Sequence, residues 1–147
     1  MLKQKTVNGN ILHIRKGYIF HQVNCQGVMG AGLALQIKNA FPNVFKHYQN
    51  LIRKEGVNVL GRTQAVKVGK QLSIINIFGQ LGFGKDKRYT DYVALESAFS
   101  SLDVSIRERE DIYFPYGFGC GLAGGDWGIV SSLIMEYFPN VVFIKHQ

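Results

Sequence analysis

Two glycine-rich stretches hold most of the residues in this chain that could do chemistry. The first reads Asn24-Cys25-Gln26-Gly27-Val28-Met29-Gly30-Ala31-Gly32, and the second reads Gly117-Phe118-Gly119-Cys120-Gly121-Leu122-Ala123-Gly124-Gly125-Asp126. Glycine lets backbone N–H groups approach a ligand without a Cβ in the way, and a helix that follows adds its positive dipole end. Phosphate suits such a site, and two of these loops at neighbouring strand ends would hold a diphosphate from both sides. Neither loop is a dinucleotide fingerprint, because Gly30-x-Gly32 lacks the third glycine and the later acid, and no Gly-Lys-Ser/Thr of a Walker loop occurs. Of the groups nearby that can move a proton, His21 reads by itself as a satisfied core residue of a buried strand. Asp126 stands where a helix N-cap belongs. The two cysteines, Cys25 and Cys120, have no metal-ligand spacing and supply no disulfide framework. No metal cluster is visible, so neither a metal nor another cofactor is expected.

Strands and helices must alternate to position these loops, and the apolar period does alternate. Residues 18–24, 72–78, 112–114 and 140–145 are aromatic and β-branched and read as buried strands. Residues 3–7 and 62–68 alternate polar with apolar, which suits strands nearer a sheet edge. Between them, apolar residues fall on one helical face at Leu33, Ile37, Ala40 and Phe41, then at Val44, Tyr48, Leu51 and Ile52. A third stripe runs through Leu95, Ala98, Phe99, Leu102 and Ile106, and a fourth through Ile129, Val130, Leu133, Ile134, Tyr137 and Phe138. Pro42 fits the start of the second helix, and Thr90 or Asp91 can cap the third. This order predicts an α/β fold of three layers, α/β/α, around a mixed, largely parallel sheet of about six strands. In such sheets ligands bind beyond the carboxyl ends of the strands, where both glycine loops lie.

With 147 residues, 46% of them hydrophobic, the chain is long enough to build its own core, and residues 1–147 are expected to form one domain. No apolar run approaches the roughly 18 residues of a membrane span, and no targeting segment opens the chain. A cytoplasmic, reducing setting without a membrane partner, and a monomer, are the corresponding expectations. Residues 1–88 carry 14 Lys and Arg against 2 acids, whereas residues 89–147 carry 3 against 8. Such asymmetry raises nucleic acid as a partner. The basic residues are nevertheless scattered, and only Lys85, Lys87 and Arg88 cluster, which suits solvated faces with a general attraction for anions. Because both halves contribute loops to one sheet edge, the split along the chain need not become two faces in space.

The stretch FHQVNCQGVMGAGLALQIKNAF at 20–41, with YGFGCGLAGGDW at 116–127, resembles a macro domain, the α/β/α module that binds ADP-ribose. More narrowly it is similar to the branch that contains ADP-ribose-1''-phosphate phosphatases and single-domain ADP-ribosyl hydrolases. The resemblance implies that Asn10, with the backbone of Ile11, meets the adenine amino group, although Asp is usual there. It implies that the loop through Gly30, Ala31 and Gly32 lies against the distal ribose, and Gly117, Phe118, Gly119, Cys120, Gly121 and Leu122 against the diphosphate. Phe143 corresponds to an aromatic that borders adenine, and equally suits a core.

His21, Asn24 and Cys25 match the His-x-x-Asn-Cys-x-Gly pattern of the phosphatase branch, in which that histidine is implicated in catalysis. Asn24 would bond the distal ribose or orient a water, and Asp126 would serve either as the cap or as a base for an attacking water. Related mono-ADP-ribosyl hydrolases use a lysine just after the strand at 72–78; here Gln80 takes the nearest place, and Lys85 reaches in only if its loop folds back. The expected activity is therefore hydrolysis of ADP-ribose-1''-phosphate to ADP-ribose and phosphate. His21 would protonate the leaving oxygen, and amides of Gly30, Ala31 and Gly32 would hold the phosphate. Two other readings stay open: release of ADP-ribose from protein or nucleic acid, and a non-catalytic ADP-ribose reader.

Overall fold

In a computed structural model, which describes residues 4–146, six strands form one sheet in the order β1-β6-β5-β2-β4-β3. These are β1 (Lys5–Asn8), β2 (Gly17–Val23), β3 (Thr63–Lys67), β4 (Leu72–Phe78), β5 (Ile112–Pro115) and β6 (Val142–Lys145). Every neighbouring pair is parallel except β3 with β4, which is antiparallel. The strands with alternating polarity, β1 and β3, are the two edges; β1 is exposed along its whole length, and β3 buries Val66 between the exposed Ala65 and Lys67. Lys3, expected in the first strand, lies outside the described residues.

Because side chains alternate along a strand, β2 serves both faces of the sheet. Ile19 and Val23 pack under α1 (Gly32–Ala40) and α2 (Pro42–Glu55), in a cluster with Ile37, Val44, Tyr48, Ile74 and Phe78. Phe20 packs on the other side under α3 (Tyr92–Ser101) and α5 (Trp127–Tyr137), with Leu95, Phe99, Phe114, Ile134 and Phe138. The second core is an aromatic stack, in which Phe20 lies 4.5 Å from Phe114 and Phe99 meets Phe138 edge-on at 5.3 Å. Fully burying each such ring contributes about 2–3 kcal/mol before the entropy cost of ordering it.

Two expectations change. The third apolar stripe is not one helix: it stops at Ser101, and the short α4 (Val104–Arg107) begins after Asp103, whose carboxylate accepts from Ser105 N at 2.8 Å. The competing cap outweighs the continuing stripe at Leu102 and Ile106. The charge split also becomes spatial in the helical layers. Helices α1 and α2 carry Lys38, Lys46, Arg53 and Lys54 against Glu55, whereas α3 to α5 carry Glu96, Glu136 and the capping acids Asp91, Asp103 and Asp126 against Arg107. Helices formed before residue 88 all cover one face and those formed after it the other.

Candidate functional site

Strands β2 and β5 are central neighbours, and the loops beyond their carboxyl ends, residues 24–31 and 116–126, enclose a cleft of about 520 Å³. Its lining includes His21, Asn24, Gly30, Ala31, Gly32, Gly117, Phe118, Gly119, Gly121 and Leu122 from the expected site. The lining holds one cation, Lys85, and no Asp or Glu.

The first loop is built around a buried phenol. Tyr48 Oη, on α2, accepts from Gly27 N and Val28 N at 3.1 Å each and points its proton at Asn24, whose Oδ1 is 2.6 Å and backbone O 2.8 Å away. Burial raises the Tyr48 pKa well above the usual phenol range, so it stays a neutral donor. Asn24 in turn accepts from Gln26 N at 2.9 Å and donates Nδ2 to Val28 O at 2.8 Å. Its side chain therefore folds the loop, leaving one N–H for a ligand. Beyond it, α1 starts at Ala31 with no side-chain cap and no acid in its first turn. The first helical bond runs from Leu35 N to Ala31 O, so the amides of Gly32, Leu33 and Ala34 have no protein acceptor among the described residues, and these residues line the cleft.

The second loop is closed differently. Gly117 and Gly119 have φ of +81° and +72°, and a Cβ at Gly119 would stand 2.9 Å from Gln22 Oε1. Thr90 Oγ1 donates to Gly119 O at 2.6 Å, while Tyr89 N and Thr90 N donate to Ala123 O. Cys120 N donates to Gly117 O at 2.8 Å, and Cys120 does not line the cleft. The amides of Gly119, Gly121 and Leu122 have no protein acceptor among the described residues.

Asp126 is exposed and caps α5, accepting from Ile129 N at 3.1 Å; it faces a groove between α3 and α5 rather than the cleft. The structure does not bring it to His21. Asn10 likewise caps a 3-10 turn, Ile11–His13, by accepting from Leu12 N at 2.9 Å, while Ile11 is core. Phe143 is buried edge-on against Trp127 at 5.2 Å. None of these three residues assigned to adenine lines the cleft.

His21 does line it, at 1% exposure. Burial pulls its pKa down to about 4, against a smaller opposing effect of Asn76 Oδ1, 2.5 Å from Nε2, so it is neutral at pH 7 and has no proton to spare as an acid. Nδ1 is buried and has no hydrogen-bond partner among the described residues. On the other face of β2, Gln22 donates to Gln80 Oε1 at 2.8 Å and Thr90 Oγ1 at 2.9 Å, and its Oε1 has no partner either. Gln80, held there and to Gly82 O, is a tie across the neck of the β4–α3 loop and no nucleophile. That loop does fold back: Phe83, 54% exposed, and Lys85 line the cleft. Both thiols are raised by burial to about 11, so neither is a thiolate at neutral pH. Tyr48, read from sequence only as part of an apolar stripe, Thr90, read only as a helix cap, and Gln22 and Phe83 were not assigned to the site; only Gln22, a polar residue in an apolar strand, carried a local signal for it.

A Macro domain profile matches residues 20–134, and the chain belongs to that family. It is 39% identical to the Saccharomyces cerevisiae ADP-ribose 1''-phosphate phosphatase, with 96% of each chain covered. It is 35% identical to the Mycobacterium bovis DNA ADP-ribosyl glycohydrolase, over 91% of this chain and 38% of that protein. The chain spans about two fifths of the length of its glycohydrolase relatives. Among solved structures, a Bacteroides thetaiotaomicron protein of unknown function superimposes with a TM-score of 0.85 at 24% identity, covering 99% of both chains.

Proposed function

We propose that the cleft binds ADP-ribose derivatives and hydrolyses ADP-ribose-1''-phosphate to ADP-ribose and inorganic phosphate. The observation that carries this reading is the cleft's electrostatics: its lining brings together residues at the α1 N-terminus and Gly119, Gly121 and Leu122, whose amides have no protein acceptor among the described residues, with Lys85 and without a carboxylate. Such a lining stabilises the equatorial oxygens of a phosphoryl group in flight. The likeness to the yeast phosphatase along nearly its whole length supports the same reading. In the reaction, a water oxygen forms the new P–O bond and the bond from phosphorus to the ribose 1'' oxygen breaks, that oxygen ending with a proton that originates from the water. His21, neutral at pH 7, serves as acceptor for the water proton rather than as the acid. Amides at residues 30–32 hold the phosphate, and Asn24 fixes their loop.

The test is phosphate release from ADP-ribose-1''-phosphate, preceded by calorimetric titration with ADP-ribose. Binding with turnover, and a loss of about 100-fold in kcat for His21→Ala, is the expected result; binding without turnover makes the protein a reader, and no binding overturns the reading altogether. One observation favours a second activity. Lys85 is the single side-chain amine in the cleft, and release of ADP-ribose from a modified base or side chain, lost in Lys85→Ala, would identify it as that reaction's essential group.

A further inference from the structure

Three polar side chains stand side by side on the α2 face of the sheet: Gln64 on β3, Asn76 on β4 and His21 on β2, paired in register as Gln64 with Asn76 and Asn76 with His21. We infer that Gln64 and Asn76 are positioning residues that hold His21 in the tautomer with hydrogen on Nε2, so that Nδ1 is a bare acceptor at the floor of the cleft.

The direction of the file follows from its anchor. Gln64 Nε2 bonds the backbone carbonyl of His47 on α2 at 2.9 Å, and a carbonyl can only accept. The other end of that amide is therefore Oε1, which accepts from Asn76 Nδ2 at 2.9 Å. Asn76 must then turn Oδ1 toward His21, and an amide oxygen facing Nε2 requires a hydrogen on that nitrogen. Flipping either amide would set oxygen against oxygen somewhere along the file, and the carbonyl of His47 cannot flip with them. A neutral imidazole has one N–H, so Nδ1 carries a lone pair. Burial disfavours the charged imidazole and the bond to Asn76 favours it, with burial the larger influence. Leaving Nδ1 unpaired is unfavourable, a cost that a bound water or a ligand hydroxyl donating to it would remove. The catalytic meaning of this arrangement rests on the function proposed above, whereas the tautomer stands on the hydrogen bonds alone.

Nitrogen-15 NMR of the histidine side chains reads the tautomer directly. In the wild type, His21 should show a protonated Nε2 and an unprotonated Nδ1. Gln64→Ala, at a half-exposed edge-strand position that folding tolerates, should release the Asn76 amide and bring in the other tautomer to a comparable share, with kcat down by about ten-fold and KM little changed. Asn76→Asp keeps an acceptor on Nε2; it should retain the tautomer and raise the His21 titration midpoint by about one unit or more. A wild-type His21 protonated on Nδ1, or a Gln64→Ala protein with an unaltered tautomer, overturns the inference. An altered tautomer with unaltered kcat removes the positioning role. If the wild type turns nothing over, the proposed function fails by itself and the NMR result alone decides the file.

Discussion

The helices that follow the two glycine loops begin in opposite ways. Helix α1 has Ala31 at its N-cap and leaves its first amides open to the cleft, whereas α5 has Asp126, whose carboxylate takes the amide of Ile129. The loops differ in the same sense. The first depends on a hydroxyl from another layer, Tyr48, which gathers two amides and Asn24; the second is strapped by Thr90 and by backbone bonds from residues 89 and 90. Two stretches that read as equivalent phosphate loops thus divide the work. One brings a helix end and a loop to the cleft lining, while the other brings loop residues only and spends its helix end on a side-chain cap.

The heaviest test of that difference is Tyr48→Phe. It leaves the partly exposed amides of Gly27 and Val28 without their acceptor and the buried Asn24 without a donor, and should lower the unfolding free energy by about 2–3 kcal/mol, with ADP-ribose affinity falling as the loop loosens. Thr90→Val removes one donor to Gly119 O and one acceptor for Gln22, and should cost about 1–2 kcal/mol. Equal losses in urea denaturation would mean that both loops are held alike.

A pH effect of up to about 3 kcal/mol belongs to the first loop's strand alone. The folded pKa of His21, about 4, lies below its unfolded value of 6.5. Between these values the unfolded chain binds more protons, so the contribution is complete above about pH 6.5 and is lost as pH falls toward 4. Urea midpoints measured from pH 7 to 4 should drop more steeply for the wild type than for His21→Gln, which carries no titrating group; parallel curves would show that His21 is not desolvated.

Much of this architecture is legible from residue pattern. Apolar runs at 72–78 and 112–114 are strands because both faces are buried, and alternating 62–68 is an edge because one face is not. Glycine spacing with a helix beyond it points to the cleft, since amide exposure is a local property. Side-chain hydrogen bonds across layers are not local. Tyr48 fits an apolar helical stripe, and nothing in that stripe says that its hydroxyl meets a loop some twenty residues earlier. Asn76 shows only as a polar break in an apolar run; its row with His21 and Gln64 needs the strand order β2-β4-β3. Asn10, given a ligand role through family resemblance, and Asp126, read as either a cap or a base, are both used locally as caps, for which their short side chains suit them.

Ala31→Asp converts the open helix into a capped one. The new carboxylate would accept the free amides of the first turn and set a negative charge where the ligand's phosphate is expected, so ADP-ribose affinity should fall by about ten-fold or more, near 1.4 kcal/mol. The melting temperature should hold or rise. Unchanged affinity would mean that the anion is held by residues 119–122 alone, and the division between the loops would have to be reversed.

The smallest effect is the most pointed. Asp126→Ala should cost about 1 kcal/mol of stability, the ordinary loss of a helix cap, and leave kcat and ADP-ribose affinity as they are. The carboxylate is exposed, bonded to its own helix and outside the cleft lining, so a proton taken from a water at His21 has no direct route to it. Asp126→Asn separates charge from capping, because an amide oxygen still accepts from Ile129 N. Full stability with a kcat reduced by about 100-fold in that variant would mean that the carboxylate acts as a base. The second loop would then swing its helix end into the cleft during turnover, and the contrast between an open α1 and a closed α5 would hold only for the unliganded protein.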